Sequence, residues 1–317
     1  MKQRRYAAFG IVAALLLAGA ACGGDDDSSD TTASPVTEAA DTTATGDAST
    51  TMAGGDSSTT AGGETPSLDS PTLADAEARG HLIIGVKEDQ PNLGYKDPTT
   101  GEYSGFDIEI ARLIAGELGF DVEGIEFKAI PSANREDEIE AGNIDYYVGT
   151  YSITDTRKER ISFAGPYFIA GQDLLVRSDD DSITGPDSLV GKTTCSVTGS
   201  TSLQRIKEEY GGDTIELEKY SLCVDQLLDG QVDAVTTDDA ILKGYAAEDP
   251  DNLKVVGAPF SEERYGIGIP KGDVGLCEAI NGILDAARDE GTWQSIYDET
   301  LGVSGSTATQ PPVDPCS

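Results

Sequence analysis

Residues 131–168 read PSANREDEIEAGNIDYYVGTYSITDTRKERISFAGPYF. The run Ile144–Thr150 has the length and apolar character of a buried strand. Arg135 lies before it, and Ser152 and Arg157 lie after it. Two guanidiniums and a hydroxyl gathered on loops around one strand suit a small anion, most simply a carboxylate. The planar guanidinium fork makes two parallel charge-assisted hydrogen bonds to such a group. Asn134 is placed to cap a helix ahead of the strand, with Asp137 at its third position in capping-box style.

Working outward, the pattern alternates. His81–Val86 (HLIIGV) is a short β-branched run, expected to be a strand. Asp107 can cap a helix on which Ile110, Leu113, Ile114 and Leu118 share a face and which Gly119 ends. Val122–Ile130 reads as the next strand. Strand, helix, strand, helix, strand with short connections predicts an open, mostly parallel sheet. In such sheets ligands lie outside the carboxyl ends of the strands. Lys87, Asn134–Arg135 and Ser152–Arg157 all follow strand ends, so they converge on one site.

A second block of the same kind follows Asp173–Val176. Strands are expected over Lys192–Val197, Thr214–Tyr220 and Val232–Thr237. Thr198–Ser202 (TGSTS) opens one helix, and Cys223–Leu228 is helical. Leu253–Gly257 and Tyr265–Ile269 add strands, and amphipathic helices around Ala279–Arg288 and Trp293–Thr300 close the fold. Trp293 and Tyr297 are spaced for one helix face and belong to the core. Two α/β blocks of about a hundred residues fit ordinary domain size, and a cleft between them is the default ligand site.

The start of the chain, MKQRRYAAFGIVAALLLAGAAC, has a basic end, an apolar run and small residues before Cys22. The run is short for a membrane span and reads as a secretory signal over residues 1–21. It resembles the lipobox of bacterial lipoproteins, in which the cysteine is acylated, although Gly19 stands where leucine is usual. Residues 22–72 are dominated by Asp, Ser, Thr, Ala and Gly. They bury too little to offset their ordering entropy and read as a disordered acidic tether. The net charge of −35 excludes nucleic acid as a partner. It leaves room for a small anion in a locally basic pocket.

After Cys22, Cys195, Cys223, Cys277 and Cys316 remain. An even set in an exported chain implies disulfides. Of the three possible pairings, Cys195–Cys223 and Cys277–Cys316 keep each bond within one region. A metal site is not indicated: there is no close CxxC, and His81 is the single histidine. No cofactor signature is present.

The order GVKED, GFDIEIARLIAGELG, NREDEIEAGNIDYYVGTYSITDTRKERISFAGPYF, GKTTCSVTGSTS, GQVDAVTTDDAILKGYA and ERYGIGIPKG resembles solute-binding protein family 3, the amino-acid receptors of ABC importers. The likeness covers about residues 80–302 and is greatest to the glutamate/aspartate-binding branch, with DQPNLGY (Asp89–Tyr95) and the anchored start similar to glutamate-binding lipoproteins of high-GC Gram-positive bacteria. It implies a type II periplasmic-binding fold: two α/β lobes, joined by two crossover strands, that close on a ligand. Lobe one would comprise residues 73–172 and 260–303, lobe two 173–259, and the tail 304–317. Carried over residue by residue, Arg157 clamps the α-carboxylate, with help from the N–H and hydroxyl of Ser152. The Thr150 carbonyl and Asp238 receive the ammonium, and Ser200 and Thr201 donate to the carboxylate. Arg135 and Lys87 face the side-chain carboxylate. Gln90 and Leu93 stand where many members carry an aromatic platform, which favours the branch with cationic partners.

The expected function is therefore the receptor of an importer for a polar amino acid: glutamate first, with aspartate, glutamine and asparagine next. It would be a monomer, lipid-anchored outside the membrane, whose partners are the amino acid and a permease. A triad is not available, because His81, the single histidine, opens the first strand, away from the expected cleft. The alternatives are a cyclohexadienyl-dehydratase-like enzyme on the same fold and a ligand-sensing receptor.

Overall fold

The computed structural model describes residues 69–304 and 307–317. The signal segment 1–21, Cys22 and the tether as far as residue 68 lie outside the described residues.

The strands are β1 (Ile83–Val86), β2 (Asp89–Gln90), β3 (Gly94–Lys96), β4 (Tyr103–Ser104), β5 (Glu126–Ala129), β6 (Tyr146–Tyr147), β7 (Ser162–Ala170), β8 (Gln172–Arg177), β9 (Thr193–Val197), β10 (Asp213–Leu217), β11 (Ala234–Asp238), β12 (Leu253–Val255) and β13 (Glu263–Ile269). The helices are α1 (Pro71–Arg79), α2 (Phe106–Glu117), α3 (Arg135–Glu140), α4 (Asp155–Lys158), α5 (Thr201–Arg205), α6 (Tyr220–Leu228), α7 (Asp239–Glu248), α8 (Val274–Glu290) and α9 (Thr292–Glu299). One sheet runs β5-β1-β6-β13-β7 and a second runs β10-β9-β11-β8-β12, while β2, β3 and β4 form a small meander. In each large sheet three strands are parallel and the outer pair antiparallel. The architecture is the type II periplasmic-binding fold with two lobes.

The lobes are joined where β7 passes through Gly171 into β8 and where the chain returns from β12 to β13. Phe260 N donates to Gln172 O at 2.9 Å, and Gln172 N donates to Ser261 Oγ at 2.9 Å, so the two crossings are tied to each other.

The core of the first lobe gathers Ile84, Val86, Phe106, Ile110 and Ile114 with rings from the C-terminal helices. Trp293 stacks on Tyr297 at 5.4 Å and meets Phe106 edge-on at 5.6 Å. The indole N–H donates to Tyr167 O at 2.9 Å, so burying it strands no donor. Cys195 on β9 is bonded to Cys223 on α6, and Cys277 on α8 to Cys316 in the tail. The tail is packed as well: buried Gln310 donates to Leu284 O at 2.7 Å, and Arg264 pairs with Asp314 at 2.8 Å.

Four local readings are corrected. The folded chain starts before residue 73. Ser70 accepts from Leu73 N at 3.1 Å as N-cap of α1 and donates to buried Asp273 at 2.8 Å. Gly105, not Asp107, precedes α2, and Asn134 makes no side-chain capping bond. Val122–Ile130 begins with a 3-10 turn and becomes strand only at Glu126. Among the described residues no helix is long and apolar enough to cross a membrane, and no group of three His, Cys, Asp or Glu could hold a metal ion.

Candidate functional site

The carboxyl ends of β1, β5 and β6 in lobe one face those of β9 and β11 in lobe two. Between them lies a cavity lined by Ser132, Arg135, Thr150, Ser152 and Arg157 on one side and by Ser200, Thr201, Ser202, Tyr220, Asp238 and Ile241 on the other. Its free volume is about 10 Å³, room for no more than about one water. An amino acid therefore enters only if the lobes part. A wider open cleft of about 690 Å³, bordered by Glu136, Thr154, Arg157, Gln204 and Arg205, leads to the same arginine.

Arg157 sits on α4, whose N-cap Thr154 accepts from the Arg157 N–H. Its guanidinium donates to Ser152 O at 2.6 Å and across the cleft to Gly199 O at 3.0 Å, and it pairs with Glu136 at 3.4 Å. Arg135, the first residue of α3, donates to Ser132 O at 3.1 Å and to Gly199 O at 3.4 Å. The Tyr151 ring lies against both cations, 4.0 Å from the Arg135 guanidinium and 4.9 Å from that of Arg157. Lys87 is buried behind Ser132 and donates to its hydroxyl at 2.7 Å. Gly199, with φ of +81°, lies so close to Ala133 of lobe one that an added Cβ would fall 2.7 Å from the alanine Cα.

On the opposite side, Asp238 accepts from Tyr265 OH at 2.7 Å and Ser202 Oγ at 3.4 Å. Asp239 accepts from Gly171 N and pairs with Lys243, so of the two neighbouring aspartates only Asp238 lines the cavity. Ser200 caps α5 by accepting from Leu203 N at 3.0 Å. The Thr201 hydroxyl donates to buried Glu263 at 3.0 Å. Its hydrogen is thus committed away from the cavity, which leaves the first-turn N–H groups of α5 as the donors of that element.

The charges are mutually frustrated. Burial, then the fields of Arg135 and Arg157, pull the Lys87 ammonium down to about 7. Burial and Arg135 likewise bring Arg157 down to about 10. Burial, then Glu263, push the Asp238 carboxyl up to about 7. An anion beside the cations and an ammonium beside Asp238 would each restore the charged forms. A zwitterion with an additional carboxylate supplies both.

Sequence reasoning missed several residues. Asp107, read as a helix cap, accepts instead from Thr150 N at 3.0 Å and from Tyr167 OH at 2.7 Å. Burial raises its pKa to about 6. It braces Thr150, whose φ of +45° is costly for a β-branched residue. Gln90 completes the brace, its amide lying 3.2 Å from the Thr150 hydroxyl. Asp107→Asn keeps the shape but loses one acceptor. It is expected to cost about 1–2 kcal/mol of stability in denaturant melts and to weaken ligand binding, because the Thr150 carbonyl is then held less firmly. Tyr95 lies on a separate cleft with Pro91, Ser104 and Glu248. Tyr220 is the aromatic residue that lines the cavity, from lobe two.

Residues 82–303 match the family described as bacterial extracellular solute-binding proteins, family 3. Glutamate-binding protein GluB of Corynebacterium efficiens is 42% identical over 241 residues, spanning 73% of this chain and 82% of that protein. The ABC transporter glutamine-binding protein GlnH of Bacillus subtilis is 38% identical over 227 residues, spanning 71% and 83%. An ancestral arginine-binding protein bound to arginine superposes with a TM-score of 0.66 at 36% identity, covering 71% of this chain and 99% of that one.

Proposed function

The chain belongs to family 3 of the bacterial extracellular solute-binding proteins, and we propose on that premise that it is the receptor of an ABC importer for a polar amino acid, glutamate first. It is a binding protein rather than an enzyme, and it works outside the cytoplasm. The observation that carries the glutamate reading is the pair Arg135 and Arg157 at one end of the cavity, with Lys87 behind Ser132 and Asp238 across from them. In a chain of net charge −35 this local excess of cations is a departure that a second ligand carboxylate would balance. The same crowd repels a cationic side chain, so arginine is disfavoured. Glutamine is the second reading, favoured by the likeness to a glutamine-binding protein.

In this reading residues 73–172 and 260–303 form the lobe that meets ligand first, and residues 173–259 the lobe that closes. Arg157 and the Ser152 N–H and hydroxyl take the α-carboxylate. The Thr150 carbonyl and Asp238 take the ammonium, and Ser200 and the Thr201 N–H add donors. Arg135, with Lys87 behind Ser132, reads the side chain. Ligand shifts the population toward the closed form because it pairs with both lobes only there. The closed protein, a monomer held to the membrane through an acylated Cys22, then presents both lobes to the permease. Arg135→Ala is expected to weaken glutamate at least tenfold more than glutamine in equilibrium titrations. Equal losses would remove Arg135 from side-chain recognition.

A further inference from the structure

The lobes also meet beside the cavity. Glu88 and Asp89, which follow β1 in lobe one, reach the start of α6 in lobe two. Lys219 pairs with Glu88 at 2.6 Å. The Asp89 carboxylate accepts from Ser221 N at 3.1 Å and from Ser221 Oγ at 3.3 Å. Tyr245 OH on α7 donates to the Asp89 backbone carbonyl. Lys219, at the N-cap position of α6, provides no side-chain cap, and the first turn of the helix contains no acid. Asp89 therefore does from the other lobe what a capping residue does within a chain segment.

A second contact adjoins it. The carbonyl of Pro91 rests on α7 at Gly244, where an added Cβ would fall 2.5 Å from the oxygen. Glycine is a poor residue for a helix interior, and alanine would serve α7 better. The close approach of lobe one is what requires it. Asp89, Ser221, Gly244 and Tyr245 are all absent from the lining of the central cavity.

We propose that Asp89 seated on α6, together with the Pro91–Gly244 contact, is a latch between the lobes that sets how readily the protein closes and so scales the affinity for every ligand by one factor. The proposal rests on the reading of the protein as a receptor that closes. When only a fraction of molecules is competent to close, the apparent dissociation constant rises by the inverse of that fraction, whatever the ligand. Asp89 is thus a positioning residue: it moves the lobe that carries Asp238 and touches no ligand.

The test uses the full chain with Asp89→Ala and Gly244→Ala, titrated with glutamate and with glutamine, together with hydrogen exchange of the ligand-free proteins. Asp89→Ala is expected to weaken both ligands about tenfold, the effect of losing one cap, and glutamate somewhat further, because the Asp89 charge also favours the protonated form of Lys87. Gly244→Ala is expected to weaken both equally while its melting temperature holds or rises, a combination that damage to the fold would not give. In both variants, amides at Gly199–Thr201, on the far side of the cleft, should exchange faster without ligand. Unequal factors in Gly244→Ala, which alters no charge, would overturn the common factor, and unchanged affinities would remove the latch. A wild-type protein that binds neither amino acid would refute the receptor reading. Exchange at Gly199–Thr201 would still decide the latch, supporting it if faster in Gly244→Ala and overturning it if unchanged.

Discussion

Arg157→Ala is expected to raise the dissociation constant for every amino-acid ligand by roughly two to three and a half orders of magnitude, because truncating one partner of a buried charge pair costs about 3–5 kcal/mol. Arg157 is buried, and its guanidinium touches both lobes through Ser152 O and Gly199 O. Its removal leaves Ser152 O and Glu136 without this partner and Gly199 O with only the longer bond from Arg135, so the loss includes closure as well as the ligand carboxylate. Arg157→Lys should not restore binding, since an ammonium cannot reproduce the planar fork. Arg160, three residues on, supplies the control. It pairs with Asp137 and Glu140 on the exposed surface, and Arg160→Ala should leave affinity unchanged. Titration calorimetry of the three variants decides the matter. Retained affinity in Arg157→Ala would remove the carboxylate clamp.

The second large effect is in pH. With the lobes together, burial and then Glu263 push the Asp238 carboxyl up to about 7. An ammonium pairs with the carboxylate form, so below pH 7 each ligand must displace a proton. Affinity then falls, approaching tenfold per unit. Lys87 also titrates near 7, from burial and its arginine neighbours, in the opposite sense. A side-chain carboxylate pairs with its protonated form, so above pH 7 glutamate must recruit a proton, and affinity falls again. Glutamate binding should therefore peak near neutrality. Glutamine makes no demand on the charge of Lys87 and should rise to a plateau above pH 7. Asp238→Asn should flatten the acid limb while lowering affinity, and Lys87→Met should flatten the alkaline limb for glutamate alone. Identical profiles for the two ligands would separate Lys87 from the side chain.

The alternation of strands and helices was legible because its signal is local. Buried β-branched runs such as Ile83–Val86 and amphipathic faces such as that of α2 declare themselves within a dozen residues. What escaped was set by distant partners. The strand Ser162–Ala170, which carries the chain toward the other lobe, is not among the strands expected from the sequence; pairing with β13, far along the chain, holds it extended through Gly165-Pro166. Asp107 looks like a helix cap by position, yet its partners are 43 and 60 residues away. The hydroxyl of Thr201 is taken by Glu263, 62 residues along the chain. Arg135, Ser152 and Arg157 could be placed at one site because each follows a strand end in an open sheet, a rule that topology enforces, whereas Thr150 and Asp238 were implied by the family resemblance. Lys87 follows such an end too, but the structure puts it one layer back, against Ser132.

Titration calorimetry of the unmodified protein with glutamate, aspartate, glutamine, asparagine and arginine bears most directly on the central claim, that the cavity accepts a zwitterion with a second carboxylate. The account predicts micromolar or tighter binding of glutamate or aspartate, with the amides at least tenfold weaker and no heat from arginine. Preference for an amide, or binding of arginine, would contradict it.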